Sequence, residues 1–148
     1  FKCDWSSDVC SSDLAWGVNY AIRTDGGLFT WGRGTNGING LNDATARNSP
    51  VQIGASSWTV VAGNNIAAAA ITTDRTLYTW GTTNTLGTGA TLTAGRSSPV
   101  QCLAGPYSLF TQVSVGESGS IAIGNDGLGW MWGLGNSTCY SIPVRTIF

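Results

Sequence analysis

The strongest constraint on this chain is a twelve-residue string that occurs three times. It reads A-I-R-T-D-G-G-L-F-T-W-G over residues 21–32, A-I-T-T-D-R-T-L-Y-T-W-G over 70–81 and A-I-G-N-D-G-L-G-W-M-W-G over 122–133. Trp31 and Trp80 lie 49 residues apart, Pro50 and Pro99 also 49, and Trp80 and Trp132 lie 52 apart. A repeat of this period marks a solenoid, a propeller or an array, in which each unit buries its apolar face only against a neighbour.

Each string reads as a β-hairpin. Two runs rich in β-branched and aromatic residues flank a polar turn. The turn holds Asp25-Gly26 in the first copy and Asp126-Gly127 in the third. An Asp-Gly pair suits a tight hairpin turn, because the turn needs positive φ and glycine reaches it without a steric penalty. In the middle copy Arg75 holds the glycine position, which predicts a weak point there. Each string closes on a Trp-Gly pair, then a loop. Two further strand signals recur with it: R-N-S-P-V-Q at 47–52, R-S-S-P-V-Q at 96–101 and I-P-V at 142–144, and the runs 57–63 and 110–116. Length changes between copies fall in the loops, as expected when strands carry the packing.

Residues 1–14 share nothing with the repeats. Residues 4–14 read D-W-S-S-D-V-C-S-S-D-L. That string matches the in-frame translation of a sequencing-library adapter, here fused to an environmental reading frame. The expectation is therefore a non-native segment over 1–14 and a repeat region over 15–148 whose two ends both fall inside repeats, the first copy lacking its upstream strand. Fold reasoning leaves such a segment aside.

Composition narrows the function classes. Hydrophobic residues make up 42% and charged residues 10%, with seven tryptophans, so this is a folded chain of short strands and many turns rather than a disordered one. Net charge is −1, which gives no electrostatic footprint for nucleic acid. No run of 18 apolar residues exists, so no membrane-spanning helix is expected. Without Cys3 and Cys10, only Cys102 and Cys139 remain, too few and wrongly spaced for a zinc site or a disulfide framework.

These motifs resemble the RCC1 (regulator of chromosome condensation) repeat. The resemblance rests on Asp25-Gly26, Leu28-Phe29, Trp31-Gly32, Arg47 and Pro50-Val51 in the first copy. In the second it rests on Asp74, Leu77-Tyr78, Trp80-Gly81, Leu86-Gly87, Arg96 and Pro99-Val100, and in the third on Asp126-Gly127, Trp132-Gly133 and Pro143-Val144. It implies an all-β fold, a partial β-propeller in which this chain forms an open arc of about three of the family's seven four-stranded blades. The chain departs from the family pattern where a histidine usually precedes the A-x-I strand: Val18, Ala67 and Gly119 stand there.

Catalysis is not expected. The chain has no histidine to act as a base, and Asp25, Asp74 and Asp126 recur at the turn position, where aspartate bonds its own backbone. Trp31, Trp80 and Trp132 recur in register and are expected in the core between blades, with Trp130 beside them. No cofactor or metal is expected. The leading reading is a non-enzymatic binding or structural propeller of a microbe or phage, acting outside the cell or on a virion surface. Its ligand, a protein or a surface glycan, would meet the blade loops at Arg33, Asn36, Asn39, Asn64, Asn65, Asn84 and Glu117. Open blade edges are expected to permit self-association. The resemblance implies two alternatives: a guanine-nucleotide exchange regulator of a small GTPase, like the family's namesake, and a protein inhibitor of a secreted enzyme.

Overall fold

The computed structural model describes the backbone of residues 9–15, 17–82, 86, 95–102, 109–135 and 138–146, and, within that set, the side chains from 17 to 133. Among the described residues, twelve strands form three antiparallel four-stranded sheets. Sheet 1 holds β1 (Val9–Ala15), β2 (Val18–Arg23), β3 (Leu28–Gly32) and β4 (Arg47–Gln52) in that order. Sheet 2 holds β5 (Trp58–Gly63), β6 (Ala67–Thr72), β7 (Leu77–Gly81) and β8 (Arg96–Gln101). Sheet 3 holds β9 (Phe110–Val115), β10 (Gly119–Gly124), β11 (Gly129–Gly135) and β12 (Thr138–Thr146). Each sheet is an up-and-down meander, the form of a propeller blade.

Two points differ from the sequence expectation. The upstream strand expected to be missing from the first copy is present: β1 pairs with β2 from Val9↔Arg23 to Ala15↔Val18. A ladder is made by main-chain N–H and C=O groups, so unrelated side chains do not prevent it. The breaks between sheets also fall before Trp58 and before Phe110. The Trp58 and Phe110 runs therefore open sheets, and the strand holding Pro143-Val144 closes the third.

The hairpins form as expected, with three-residue loops. Gly26 N–H donates to Arg23 O at 2.8 Å and Arg23 N–H to Gly27 O at 2.9 Å. The same pair of bonds recurs at Thr72, Arg75 and Thr76, and at Gly124, Gly127 and Leu128. This is a turn followed by a left-handed residue: φ is 88° at Gly26, 67° at Arg75 and 77° at Gly127. The aspartate before it bonds its own turn. Asp25 Oδ1 accepts Gly27 N–H at 3.0 Å, Asp74 Oδ1 accepts Thr76 N–H at 3.3 Å, and Asp126 Oδ1 accepts Leu128 N–H at 3.0 Å.

Two apolar layers hold the sheets together. Between sheets 1 and 2 lie Val18, Tyr20, Ile22, Leu28, Ile38 and Ile53 against Trp58, Val61, Ala68, Ala70 and Trp80. Between sheets 2 and 3 lie Ala69, Ile71, Leu77 and Cys102 against Phe110, Ala122 and Trp132. Strand β6 is buried along its whole length because a sheet covers each of its faces. Its alanines suit that position: small residues admit large ones from the facing sheet. Tyr20 fills such a space; a Cβ on Gly63 would stand 2.7 Å from its ring. Burial pushes the Cys102 thiol up to about 12, in keeping with a small core residue.

The tryptophans separate into two cases. Trp80 and Trp132 are buried, each against the preceding sheet. Trp31 is only half-buried, which corrects the expectation of a third core ring. Its face of sheet 1 carries no further sheet among the described residues. Trp130 is half-buried too, packed edge-on against Phe110 at 5.9 Å between centroids.

Candidate functional site

The alternation of strands decides where the connections lie. In each sheet the first and third strands run one way and the second and fourth the other. The connections 33–46, 64–66, 82–95 and 116–118 therefore share one end of the stack, and the hairpin turns holding Asp25, Asp74 and Asp126 share the opposite end. Contacts between sheets keep this sense. Asn42 N–H donates to Ser97 O at 2.6 Å at the loop end. At the turn end, Trp58 N–H donates to Gly26 O at 2.8 Å and Phe110 N–H to Arg75 O at 2.9 Å.

Of the candidate residues, Arg33, Asn36, Asn39, Asn64, Asn65 and Glu117 fall at the loop end. Arg33, Asn36 and Glu117 are exposed, and Asn65 is half-buried. Asn36 sits in the 3₁₀ turn Thr35–Gly37 with φ 61° and ψ 16°. Asn84 lies outside the described residues. Two of the asparagines do structural work instead. Asn39 is 0% exposed; its Nδ2 donates to Thr45 O at 2.8 Å and its Oδ1 accepts Leu41 N–H at 3.2 Å. Asn64 Oδ1 accepts Ile66 N–H at 2.9 Å and Ala67 N–H at 2.8 Å, which shapes the β5–β6 turn. The loop end thus has an exposed rim and a committed interior.

The interior is a plug that sequence reasoning missed. Ile38 is 0% exposed, and its carbonyl accepts the Trp80 indole N–H at 2.8 Å and the Tyr20 hydroxyl. Leu86 is 1% exposed in the next loop, and its carbonyl accepts the Thr79 hydroxyl. The signal was available: Ile38 and Leu86 are isolated apolar residues among Gly, Thr and Asn. Gly37, at φ 70°, lets this plug approach Ser97 of sheet 2, where a Cβ would collide with the Ser97 backbone.

Charge at this end is sparse and includes one ion pair. Arg47 Nη2 meets Asp43 Oδ2 at 2.5 Å. The Thr45 N–H and then the Arg47 guanidinium hold the Asp43 carboxyl below its usual range. At the opposite end the Arg23 guanidinium and the Gly27 N–H bring Asp25 down to about 2. The Thr72 hydroxyl and the Thr76 N–H lower Asp74. Each of these carboxylates serves the loop or turn that carries it. Asp25 and Asp43 stand at opposite ends of sheet 1 and Asp74 in sheet 2, so these three form no acid–base pair.

A cleft of ≈400 Å³ opens between sheets 1 and 2, from Leu41 and Asn42 at the loop end to Ile53 and Ser56. Trp58 and Tyr78 line it, edge to face at 5.4 Å. The Trp58 indole N–H is buried without a hydrogen-bond partner.

The repeated sheet, its stitched turns and its Trp-Gly bulges can be set beside known structures. Human WBSCR16 superposes with a TM-score of 0.85 at 19% identity, over 96% of this chain and 38% of that one. Prp20p from Saccharomyces cerevisiae, described with its binding to Gsp1p and histones, superposes with a TM-score of 0.81 at 17% identity, over 93% of this chain and 38% of that one. The fold is that of the RCC1-type β-propeller. Yeast RCC1 (Prp20) in its complex with Kap60 gives 0.77 at 18% identity, over 93% of this chain and 37% of that one. This chain therefore spans under two-fifths of the RCC1-type propellers it matches. No family model and no curated protein matches it by sequence.

Proposed function

We propose that this chain is a non-enzymatic recognition segment of an RCC1-type propeller, and that it meets its partner through the loop end. The observation that carries this is that the two longest connections, 33–46 and 82–95, and the exposed Arg33, Asn36 and Glu117 belong to one end, while the other end carries the three hairpin turns, two of them hydrogen-bonded to the next sheet. Arg33, Asn36, Asn65 and Glu117 would form the contact rim, with Asn84 in the loop between β7 and β8. The plug residues Ile38 and Asn39 would hold that rim in place. Polar neutral rims suit a protein or glycan ligand better than nucleic acid, whose phosphates call for a basic stripe. Low charge, and no lysine beyond Lys2, favour an exterior setting such as a microbial or virion surface.

A second reading is regulation of a small GTPase. It draws on Prp20p, whose description names binding to Gsp1p and histones. Against it stands the scarcity of acidic groups: only Asp25, Asp43, Asp74, Glu117 and Asp126 lie beyond residue 15.

Two assays separate the readings. The chain is tested for release of fluorescent GDP from purified small GTPases and for binding on a glycan array, in parallel with Arg33→Ala/Asn36→Ala/Glu117→Ala. Glycan binding that this variant loses, with no acceleration of GDP release, supports the first reading. Accelerated release supports the second. Binding that survives in the loop variant but is lost on changing Arg75 at the turn end contradicts the placement of the site.

A further inference from the structure

The cleft between sheets 1 and 2 contains a donor that the fold does not use. Trp58 is 4% exposed, yet its indole N–H has no hydrogen-bond partner among the described residues. A buried donor left unpaired costs stability, and native proteins pair nearly all of them. Packing alone does not call for this one. Trp58 and Phe110 hold the same place in successive sheets. Each opens its sheet, and each donates its main-chain N–H to the turn of the sheet before, at Gly26 O and Arg75 O. Each also meets an aromatic ring edge-on, Tyr78 for Trp58 and Trp130 for Phe110. A phenylalanine therefore fills this position with no polar atom at all, and the indole N–H is an addition at the junction of sheets 1 and 2.

The surroundings of Trp58 have the make-up of a small-ligand site. The cleft volume of ≈400 Å³ falls within the range of such pockets, roughly 300–1,000 Å³. Leu41, Ile53, Pro99 and Tyr78 give it apolar walls. Exposed Asn42 and Gln52 and half-buried Ser98 add polar side chains, and none of these three is engaged in a hydrogen bond within the described residues. Among the described residues that line the cleft, none is charged. The lining lies between Gly40 and Pro99, within sheets 1 and 2 and their connections.

We propose that this cleft binds one neutral sugar ring, a pyranose with a hydroxyl oxygen that accepts the Trp58 N–H. A sugar hydroxyl both donates and accepts, and so do a carboxamide and a serine hydroxyl, so Asn42, Gln52 and Ser98 can meet the remaining hydroxyls in either sense. The C–H face of the ring suits the Tyr78 and Pro99 walls. With no cation in the lining, the carboxylate of an acidic sugar would find no partner there. An extended peptide is the poorer match, because its main chain adds to a bare strand edge. The last strands of the two sheets carry Pro50 and Pro99, each of which removes a ladder donor. The cleft shares no residue with the rim of Arg33, Asn36, Asn65 and Glu117, so this inference is independent of the reading above.

NMR on the isotope-labelled chain tests it, with the methyl glycosides of glucose, galactose, mannose and N-acetylglucosamine as probes. The Trp58 indole signal, assigned by triple resonance, is expected to shift saturably with at least one of them. The shift should be the same at about 0.05 and about 0.5 M salt, because no charge takes part. Trp58→Phe, which copies the Phe110 position, is expected to weaken binding about tenfold, read on the amides of Leu41 and Ile53, while its urea midpoint stays at or above that of wild type. If Trp58→Phe does not fold, Gln52→Ala with Ser98→Ala takes its place under the same expectation for binding. A Trp58 signal that none of these glycosides moves overturns the proposal. So does a signal moved only by a proline-rich peptide, which would assign the cleft to peptide, or glycoside binding that the substitution leaves at wild-type strength.

Discussion

The two ends of the stack are built on opposite principles. At the turn end, three copies repeat one device, an aspartate bonding its own turn followed by a left-handed residue, and the first two also hand a carbonyl to the next sheet. At the loop end, connections differ in length and residues, and only their interiors are fixed. The comparison teaches that repetition marks where one sheet must find the next, while variation marks where the chain is free to face something else.

The comparison can be broken most forcefully at the plug. Trp80→Ala removes a fully buried ring and the donor to Ile38 O. It is expected to cost about 3–5 kcal/mol, read as a lowered midpoint in urea. A loss near zero would mean the loop interior carries no load. Asn39→Ala leaves the Leu41 N–H without its side-chain acceptor and the Thr45 carbonyl with Arg47 alone, and should cost about 1–3 kcal/mol in the same measurement. That sets one loop asparagine apart from its exposed neighbour Asn36.

The turn end can be sharpened rather than broken. Arg75 sits at φ 67°, where Gly26 and Gly127 avoid a Cβ clash. Arg75→Gly should raise stability by about 1 kcal/mol, seen as a small rise in Tm. A fall would mean the arginine side chain stabilises the turn in another way. Asp25 offers a pH test. Its carboxyl is lowered to about 2 from the 3.8 of a free aspartate, so its contribution is present above about 3.8 and fades as pH falls toward about 2. Asp74 should act in the same sense. Asp25→Asn should flatten that acid limb in a pH series of urea midpoints; an unchanged limb would assign it to other groups. Smallest of all, Arg33→Ala should shift stability by no more than about 0.5 kcal/mol, since its side chain is exposed. A larger loss would move the rim into the core.

Much of this was legible in residues because the repeat states it three times. The hairpins, the Trp-Gly bulges and the four strand signals per unit were readable from β-branched runs and turn residues. Gly32, Gly81 and Gly133 adopt φ near 101–115°, and a Cβ at each would strike the backbone at the start of the neighbouring strand pair. Less legible were features set by tertiary surroundings. Asn39 reads as an ordinary loop asparagine until Thr45 folds over it. Trp31 has the same local sequence as Trp80, but its face of sheet 1 carries no further sheet among the described residues. Strand β1 was invisible because main-chain pairing leaves no mark on composition. Which of the loop asparagines face solvent required the coordinates.

The most direct test of the contrast between the ends is native-state hydrogen exchange followed residue by residue. The amides of Trp58 and Phe110 donate across sheet junctions to Gly26 O and Arg75 O. The account predicts that these two amides exchange as slowly as those inside β6, because they open only when neighbouring sheets part. It also predicts that exposed Asn36 and Glu117 at the loop end exchange orders of magnitude faster. Rapid exchange at Trp58 and Phe110, on the scale of the loop amides, would show that the turns do not stitch the sheets together and would contradict the account.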